Sequence, residues 1–193
     1  MAVPQTNGAP VTKPSGSLVQ YTDEATFHHM MVVYGNYKVG KTTLVGSVLE
    51  AGKRLLVLDG DLGGAETLSA LHIPFIPVSS LDVFEESMAW LQAEGHKDYD
   101  VIAIDTGSGL QTTMLEGVLK RGVTEEYGAH YGAVRDILVH SLRELRKKDL
   151  FLLVTAHERK EWRVVGQERQ LAAVIPQFSP TIWEGLNLMT SFI

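Results

Sequence analysis

A first group of residues able to carry chemistry runs from Gly35 to Thr43 and reads GNYKVGKTT. Gly35 to Thr42 fits G-x-x-x-x-G-K-[ST], a loop whose backbone N–H groups point into one concavity that holds phosphate oxygens. In this pattern the lysine reaches the β- and γ-phosphates of a triphosphate, and the hydroxyl that follows it binds Mg²⁺. Thr43 could also hydrogen-bond the α-phosphate. We therefore predict a nucleotide-binding loop formed by Gly35, Asn36, Tyr37, Lys38, Val39, Gly40, Lys41, Thr42 and Thr43.

Acidic residues follow two apolar runs and provide candidates for metal binding and for activating water. Asp105 ends the run VIAID, where a carboxylate could hold Mg²⁺ together with Thr42, although an aspartate at this position could also cap a helix. Asp59 and Asp61 follow the run RLLVL, and either could orient or deprotonate a water molecule. The sequence DGDLGG is also typical of a turn, so both interpretations stay open.

His157 follows the apolar run LFLLVTA, where a polar side chain could sense the γ-phosphate or could be an ordinary surface histidine. The other histidines, including His28 and His29, have no spacing typical of metal ligands. Beyond His157, basic residues around Trp162 could contact a nucleic-acid backbone, but neighbouring glutamates nearly cancel their charge and a solvated hairpin is the alternative.

The elements that must position these residues are apolar strands alternating with helices. Short apolar runs predict strands at 30–34, 54–59, 74–78, 100–105 and 149–156, and helical spacing predicts helices at 41–52, 65–72, 81–95, 109–120 and 129–148. Beyond residue 161, EWRVV and RQLAAVI predict a β-hairpin, and LNLMTSFI predicts a last strand. Continuous apolar strands separated by helices indicate an α/β fold with a mostly parallel sheet covered on both faces.

Composition restricts the class of protein. The 193 residues are 45% hydrophobic and 21% charged, with no cysteine and a net charge of −6, which is typical of a globular cytoplasmic protein rather than a strongly basic nucleic-acid binder. No run is long enough for a membrane span, so we expect no membrane association. Residues 1–18 are rich in proline, glycine and small polar residues and predict a flexible tail before a domain at 19–193. The chain ends in an apolar run at Ile193, as expected of a truncated sequence.

With these elements in place, the chain resembles the RecA-like P-loop ATPases of bacteriophages, in particular the phage nucleotide-binding family that includes single-strand annealing ATPases. The matching stretches follow in order over residues 28–193, and they are VVYGNYKVGKTTL, LLVLDGDLGG, YDVIAIDTGSGL, YGAHYGAVRDILVHSLRELRKKDLFLLVTAHE and IPQFSPTIWEGLNLMTSFI. The resemblance implies a three-layer RecA-like domain with a C-terminal β-hairpin and with an extra strand between the loop strand and the Asp105 strand.

The resemblance also implies roles for the candidate residues. Asp61 occupies the position of the water-activating acid, which is usually glutamate in this family, and His157 occupies that of the γ-phosphate sensor. ATP and Mg²⁺ would be the cofactors, with Lys41, Asp61 and His157 catalytic and Thr42 and Asp105 binding the metal. The DNA-contacting loops of RecA relatives would fall near 111–128 and 158–172.

The function predicted from this resemblance is an ATPase that assembles on single-stranded DNA as a homo-oligomer. It would act in phage recombination, annealing or replication, with other phage proteins of those processes as further partners. Two alternatives remain, a small-molecule or nucleotide kinase and an ATP-gated interaction protein with little hydrolysis. A kinase lid should be rich in arginine, yet Arg121 is the only arginine between Gly107 and Gly128. No Asn-Lys-x-Asp motif for guanine recognition is present.

Overall fold

A computed structural model describes residues 30–61, 63–166 and 168–190, so the predicted tail at 1–18 lies outside the described residues. The strands are β1 (Met30–Gly35), β2 (Leu55–Asp59), β3 (Phe75–Pro77), β4 (Val101–Asp105), β5 (Phe151–Val165) and β6 (Glu168–Pro176). The helices are α1 (Lys41–Glu50), α2 (Ala65–Ala70), α3 (Leu81–Ala93), α4 (Gly107–Lys120), α5 (Ala129–Arg146) and α6 (Pro180–Asn187), with short 3₁₀ helices at Gly95–Asp98 and Glu126–Gly128.

The strands form a six-stranded sheet in the order β1-β5-β4-β2-β3, and β6 pairs with β5 outside this path. All neighbours in the main path are parallel, whereas β5 and β6 form an antiparallel hairpin. The carboxyl ends of β1, β2 and β4 therefore meet at one edge of the sheet, beside His157 of β5, and ligands of α/β folds bind at this edge. The predicted α/β class, the mostly parallel sheet, the C-terminal hairpin and the extra strand, which is β5, are confirmed.

Apolar residues on both sides of each strand explain why the sheet is covered on both faces. Leu56 and Leu58 of β2 pack in a cluster with buried residues of α3, α4, α5 and α6. Leu55 and Val57 pack in a second cluster with buried residues of α1 and α2. Side chains alternate between the faces of a strand, so a continuous apolar run supplies both clusters at once. Among the described residues, no helix is both long and apolar enough to cross a membrane.

Two predicted elements differ from the structure. The strand predicted to end at residue 156 continues without a break to Val165, so His157 lies inside β5 rather than beyond a strand end. The strand predicted at 186–193 is wrong over its described part, because Leu186 lies in α6. Ser179 accepts a hydrogen bond from the N–H of Ile182 and Pro180 follows it, which is a typical start of a helix.

Two helical glycines provide a matched test of the packing between helices. A Cβ at Gly117 in α4 would overlap the side chain of Leu81 in α3, whereas a Cβ at Gly132 in α5 would meet no atom within 4 Å. We expect Gly117→Ala to destabilise the fold by about 1–3 kcal/mol through overpacking. Gly132→Ala should be neutral or stabilise it by up to about 1 kcal/mol, since alanine favours the helix. Urea unfolding of both variants checks this pair, and equal stabilities would contradict the close contact between α3 and α4.

Candidate functional site

The loop between β1 and α1 has the geometry of a phosphate cradle. Lys38 and Gly40 adopt positive φ angles of 60° and 93°, which turn successive N–H groups of the backbone to one side. The Nζ of Lys41 donates hydrogen bonds to the carbonyl oxygens of Gly35 at 3.0 Å and Asn36 at 2.8 Å, so the ammonium group lies over the loop. The amino end of α1 begins at this residue and adds the positive end of a helix dipole.

Thr42 and Asp105 are in direct contact. The Thr42 hydroxyl donates to Oδ2 of Asp105 at 2.6 Å, although the two residues are far apart in the sequence. The other carboxylate oxygen of Asp105 accepts a hydrogen bond from the hydroxyl of Thr155 on β5. Asp105 is buried, so these hydroxyls set the direction of its carboxylate. Thr155 was not predicted from the sequence as a site residue. It could have been found there, because residues two apart in a strand point to the same face and Thr155 lies two residues before His157.

The structure separates the two acidic residues that follow β2. Asp59 is 0% exposed and its Oδ1 accepts a hydrogen bond from the N–H of Asp61 at 3.3 Å. The side chain of Asp61 is 49% exposed and lines the cleft above the phosphate loop. Asp59 thus lies beneath the loop that carries Asp61, and only Asp61 has access to a water molecule in the cleft.

His157 lies opposite Asp61. Its Nε2 is 3.8 Å from Oδ2 of Asp61, and its ring stacks on the ring of Tyr37 with centroids 3.9 Å apart. Burial lowers the pKa of His157 below its usual value and the charge of Lys41 lowers it further, whereas Asp61 acts in the opposite direction. The neutral imidazole is therefore the favoured form near neutral pH.

These groups line one cleft of about 290 Å³ at the carboxyl edge of the sheet. The cleft collects Lys41, Thr42, Asp61, Asp105 and His157 from several different elements and loops. Its remaining lining residues are Tyr37, Lys38, Gly40, Thr43, Gly63, Gly64, Thr67 and Thr106. Of the predicted loop residues, Gly35, Asn36 and Val39 do not line the cleft. Thr67 and Thr106 were not predicted from the sequence.

The β5–β6 hairpin is a second candidate surface. Beyond Glu158, alternation along β5 places Lys160, Trp162 and Val164 on one face of the hairpin, and Arg159, Glu161 and Arg163 on the other. The cross-strand partners of the first group are Val174, Leu171 and Arg169. We call the face formed by Lys160, Trp162, Val164, Arg169, Leu171 and Val174 the tryptophan face; Trp162 is 56% exposed.

By the same alternation Glu158 lies on the side of Lys160 and Trp162, whereas Glu161 and Glu168 lie on the opposite face of the hairpin together with Arg159 and Arg163. Arg159 pairs with Glu161 at 3.1 Å, and Glu168 is the cross-strand partner of Val165. The tryptophan face therefore combines cations with an aromatic ring, although the net charge of the whole segment is small. Of the two predicted DNA loops, 158–172 corresponds to this hairpin. The other, 111–128, is largely helical because α4 extends to Lys120.

Comparisons with known proteins found one family model and a similar solved structure. A family model described as "AAA domain" matches residues 28–189, a range that includes the phosphate loop, Asp61, Asp105 and His157. The chain is also similar to a solved structure described as "Crystal structure of the RadB recombinase", with 18% identity and a TM-score of 0.47 over 74% of this chain and 67% of that chain. No curated protein matches the chain.

Proposed function

Because the chain belongs to the AAA domain family, we propose that it is a magnesium-dependent ATPase that acts on single-stranded DNA in phage recombination, annealing or replication. One observation carries the enzymatic part of this proposal. The hydroxyl of Thr42 is bonded to the carboxylate of Asp105, beside Lys41 and across one cleft from Asp61 and His157. That set contains a phosphate-binding cation, a pair of oxygen ligands for a metal ion and an accessible acid.

The residues present fit Mg²⁺ bound together with a nucleotide. Thr42 and Asp105 supply a hydroxyl and a carboxylate oxygen, the hard ligands that Mg²⁺ prefers. Among the described residues, no cluster of three or more His, Cys, Asp or Glu side chains could hold a metal ion alone. In nucleotide sites Mg²⁺ is commonly held by one or two protein groups, water and phosphate oxygens. When bound, Mg²⁺ would neutralise charge on the β- and γ-phosphates.

Lys41, Asp61 and His157 would each have a separate role in ATP hydrolysis. Lys41 already points its ammonium group at the oxygens of its own loop, and phosphate oxygens would offer it stronger, charged acceptors. Asp61 would orient or deprotonate the attacking water, since its carboxylate is accessible in the cleft. The neutral imidazole of His157 would contact the γ-phosphate opposite Asp61 and so report whether it is present.

The kinase alternative lacks support in the run from Gly107 to Gly128. The guanidinium of Arg121 contacts Asp82 and binds Glu85 at 2.7 Å, and these residues lie at the α3–α4 surface rather than at the cleft. An arginine held by two carboxylates on another surface is not placed to contact phosphates. Transfer of the γ-phosphate to water rather than to a second substrate is therefore the reaction that we propose.

The tryptophan face supports the DNA part of the proposal. A positively charged ribbon with an exposed aromatic ring can contact the phosphate backbone through Lys160 and Arg169 while unpaired bases stack on Trp162. Bases in a duplex are already stacked, so this surface favours single strands. The resemblance to phage annealing ATPases extends the proposal to several copies assembling along one strand in the cytoplasm of the host cell, together with other phage recombination or replication proteins.

The decisive experiment measures phosphate release from ATP with and without single-stranded DNA in wild-type protein and in hairpin variants. We expect stimulation by DNA, and we expect Trp162→Ala and Arg169→Ala to weaken DNA binding about tenfold each, since stacking and phosphate contacts of this kind carry that much affinity. Arg163→Ala, which removes a cation from the opposite face, is the matched control. Equal losses in all variants would remove the tryptophan face from the proposal, and turnover indifferent to DNA would contradict the DNA part.

A further prediction concerns Thr155. Thr155→Val keeps the shape of the side chain but removes the hydroxyl that bonds Asp105. We expect about a 3–15-fold weaker apparent affinity for Mg²⁺ in the presence of ATP, because one hydrogen bond to a charged group is lost. Thr155→Ser retains the hydroxyl and should behave as the wild type. A magnesium titration of ATP turnover compares the variants, and a Thr155→Val curve equal to the wild-type curve would contradict the positioning of Asp105.

A further inference from the structure

The ring of Tyr37 lies on the phosphate loop and stacks on His157, with centroids 3.9 Å apart and an angle of 25° between the ring planes. We infer that Tyr37 is a positioning residue that holds the imidazole of His157 with its Nε2 directed at Asp61 and the cleft. This inference rests on the proposed function and deepens it. It assigns a task to a loop side chain whose position in the phosphate-binding pattern is open to any residue type.

The imidazole has no hydrogen bond to hold its ring among the described residues. Its Nδ1 is buried and has no hydrogen-bond partner among the described residues. Its Nε2 lies 3.8 Å from Asp61, which is longer than a hydrogen bond. The backbone N–H of His157 donates to Ser108 Oγ at 3.0 Å, and this bond fixes the strand but not the ring. The stack with Tyr37 is therefore the contact that sets the plane of the imidazole.

Hydrogen bonds within the phosphate loop fix the backbone around Tyr37. Its backbone N–H donates to Oδ1 of Asn36 at 2.8 Å, and Lys41 bonds the carbonyl oxygens of Gly35 and Asn36 on the same loop. The residue is nevertheless 64% exposed, so its ring is not a core side chain. A large aromatic residue on a rigid loop, exposed except where it covers one imidazole, is placed to orient that imidazole.

The stack is also a side-chain contact between the phosphate loop and β5. Tyr37 belongs to the loop that would hold the phosphates, and His157 belongs to the strand that continues into the hairpin. Within the described part of the chain, the groups that face the imidazole are Tyr37, Lys41, Asp61 and Asp105. The two carboxylates and the ammonium group act through charge, and only Tyr37 acts through ring contact.

The experiment compares Tyr37→Phe, Tyr37→Leu, His157→Ala and the double variant Tyr37→Leu/His157→Ala in the full chain. We expect Tyr37→Leu to lower kcat for ATP about tenfold with the KM for ATP within about twofold, because a misplaced group costs rate rather than ground-state binding. Tyr37→Phe keeps the ring and should stay within about twofold of the wild type. In the His157→Ala background, Tyr37→Leu should add no further loss, since the ring then has nothing to position.

A second readout does not depend on turnover. In the nucleotide-free protein, the ring-proton resonances of His157 should be shifted upfield by the stacked ring in the wild type and in Tyr37→Phe. This shift should be lost in Tyr37→Leu and retained in Tyr127→Leu, which removes an exposed tyrosine elsewhere. Unchanged His157 resonances in Tyr37→Leu would overturn the inference.

Two kinetic outcomes would also overturn it. A KM for ATP raised about tenfold by Tyr37→Leu with kcat unchanged would mean that Tyr37 binds the nucleotide directly. A loss equal in the wild-type and His157→Ala backgrounds would mean that Tyr37 acts independently of His157. If the wild-type chain hydrolyses no ATP, the proposed function fails, while the His157 resonances still decide whether Tyr37 sets the imidazole.

Discussion

Lys41→Ala is expected to abolish ATP hydrolysis and to weaken ATP binding by about 100-fold or more, the largest effect predicted for any substitution in this chain. Lys41 is the residue in the loop whose ammonium group already lies on the cradle, 2.8 Å from the carbonyl oxygen of Asn36. Its removal takes away the ammonium group nearest the phosphates and leaves the backbone N–H groups, the helix dipole, Lys38 and Mg²⁺ to oppose their negative charge. Isothermal titration with ATP and Mg²⁺ measures the binding, and phosphate release measures the turnover.

The matched control for this substitution is Lys53→Ala. Lys53 immediately precedes Arg54 and β2, at the end of the sheet opposite the phosphate loop, so its replacement removes the same charge without touching the cleft. Both variants should keep the melting temperature within a few degrees of the wild type, since neither side chain belongs to the apolar core. ATP binding by Lys41→Ala at wild-type affinity would contradict the assignment of the loop.

The elements near the phosphate loop were predictable because their signals are local. A short apolar run, a glycine-rich turn and an amphipathic helix follow one another between Met30 and Glu50, and each depends only on neighbouring residues. The position of β5 between β1 and β4 came instead from the resemblance. Composition and spacing alone do not determine which strands of a sheet are neighbours.

The length of β5 could not be read from hydrophobicity. Its pairing with β4 ends at Val154 and its pairing with β1 ends at His157, so the residues beyond are no longer covered on both faces. The apolar run therefore stops where the sheet stops being buried, although the strand itself continues with β6 as its partner. An apolar pattern reports burial, and a strand can extend beyond the buried part of its sheet.

The distribution of charge over the two faces of the hairpin could not be predicted from the sequence either. Summed along the chain, the glutamates nearly cancel the basic residues between Glu158 and Arg169. Alternation and the register across the bulge between Glu161 and Trp162 place Glu161 and Glu168 on one face, and Lys160 and Arg169 on the other face beside Trp162. Register depends on the partner strand, which no single segment of sequence specifies.

The sequence could not show which of Asp59 and Asp61 faces the cleft, because this depends on the tertiary structure. Both residues follow the same apolar run, and both could have activated water. Register places Asp59 beside Asp105 in the sheet, and packing buries it, while the next turn carries Asp61 up into the cleft. Asp59 therefore holds the loop through its hydrogen bond to the N–H of Asp61, and Asp61 faces the cleft.

Asp61→Asn is expected to lower kcat by about 100-fold or more while the affinity for ATP changes little, because the amide keeps the size of the carboxylate but cannot accept a proton from water. Asp61→Glu should restore much of the activity, since glutamate is the usual acid at this position in the ATPases that the chain resembles. Single-turnover phosphate release together with ATP titration separates the chemical step from binding.

The neighbouring acid makes this prediction specific. Asp59→Asn changes a fully buried group that accepts the N–H of Asp61, so it should lower the melting temperature, and any loss of turnover should follow from the displaced loop. Asp98→Asn alters an aspartate in the 3₁₀ helix before β4 and serves as the control for loss of one negative charge. If Asp59→Asn kept its stability and lost turnover while Asp61→Asn remained active, the activation of water would belong to Asp59, and the buried acid would have to reach the cleft by a movement of the 60–64 loop.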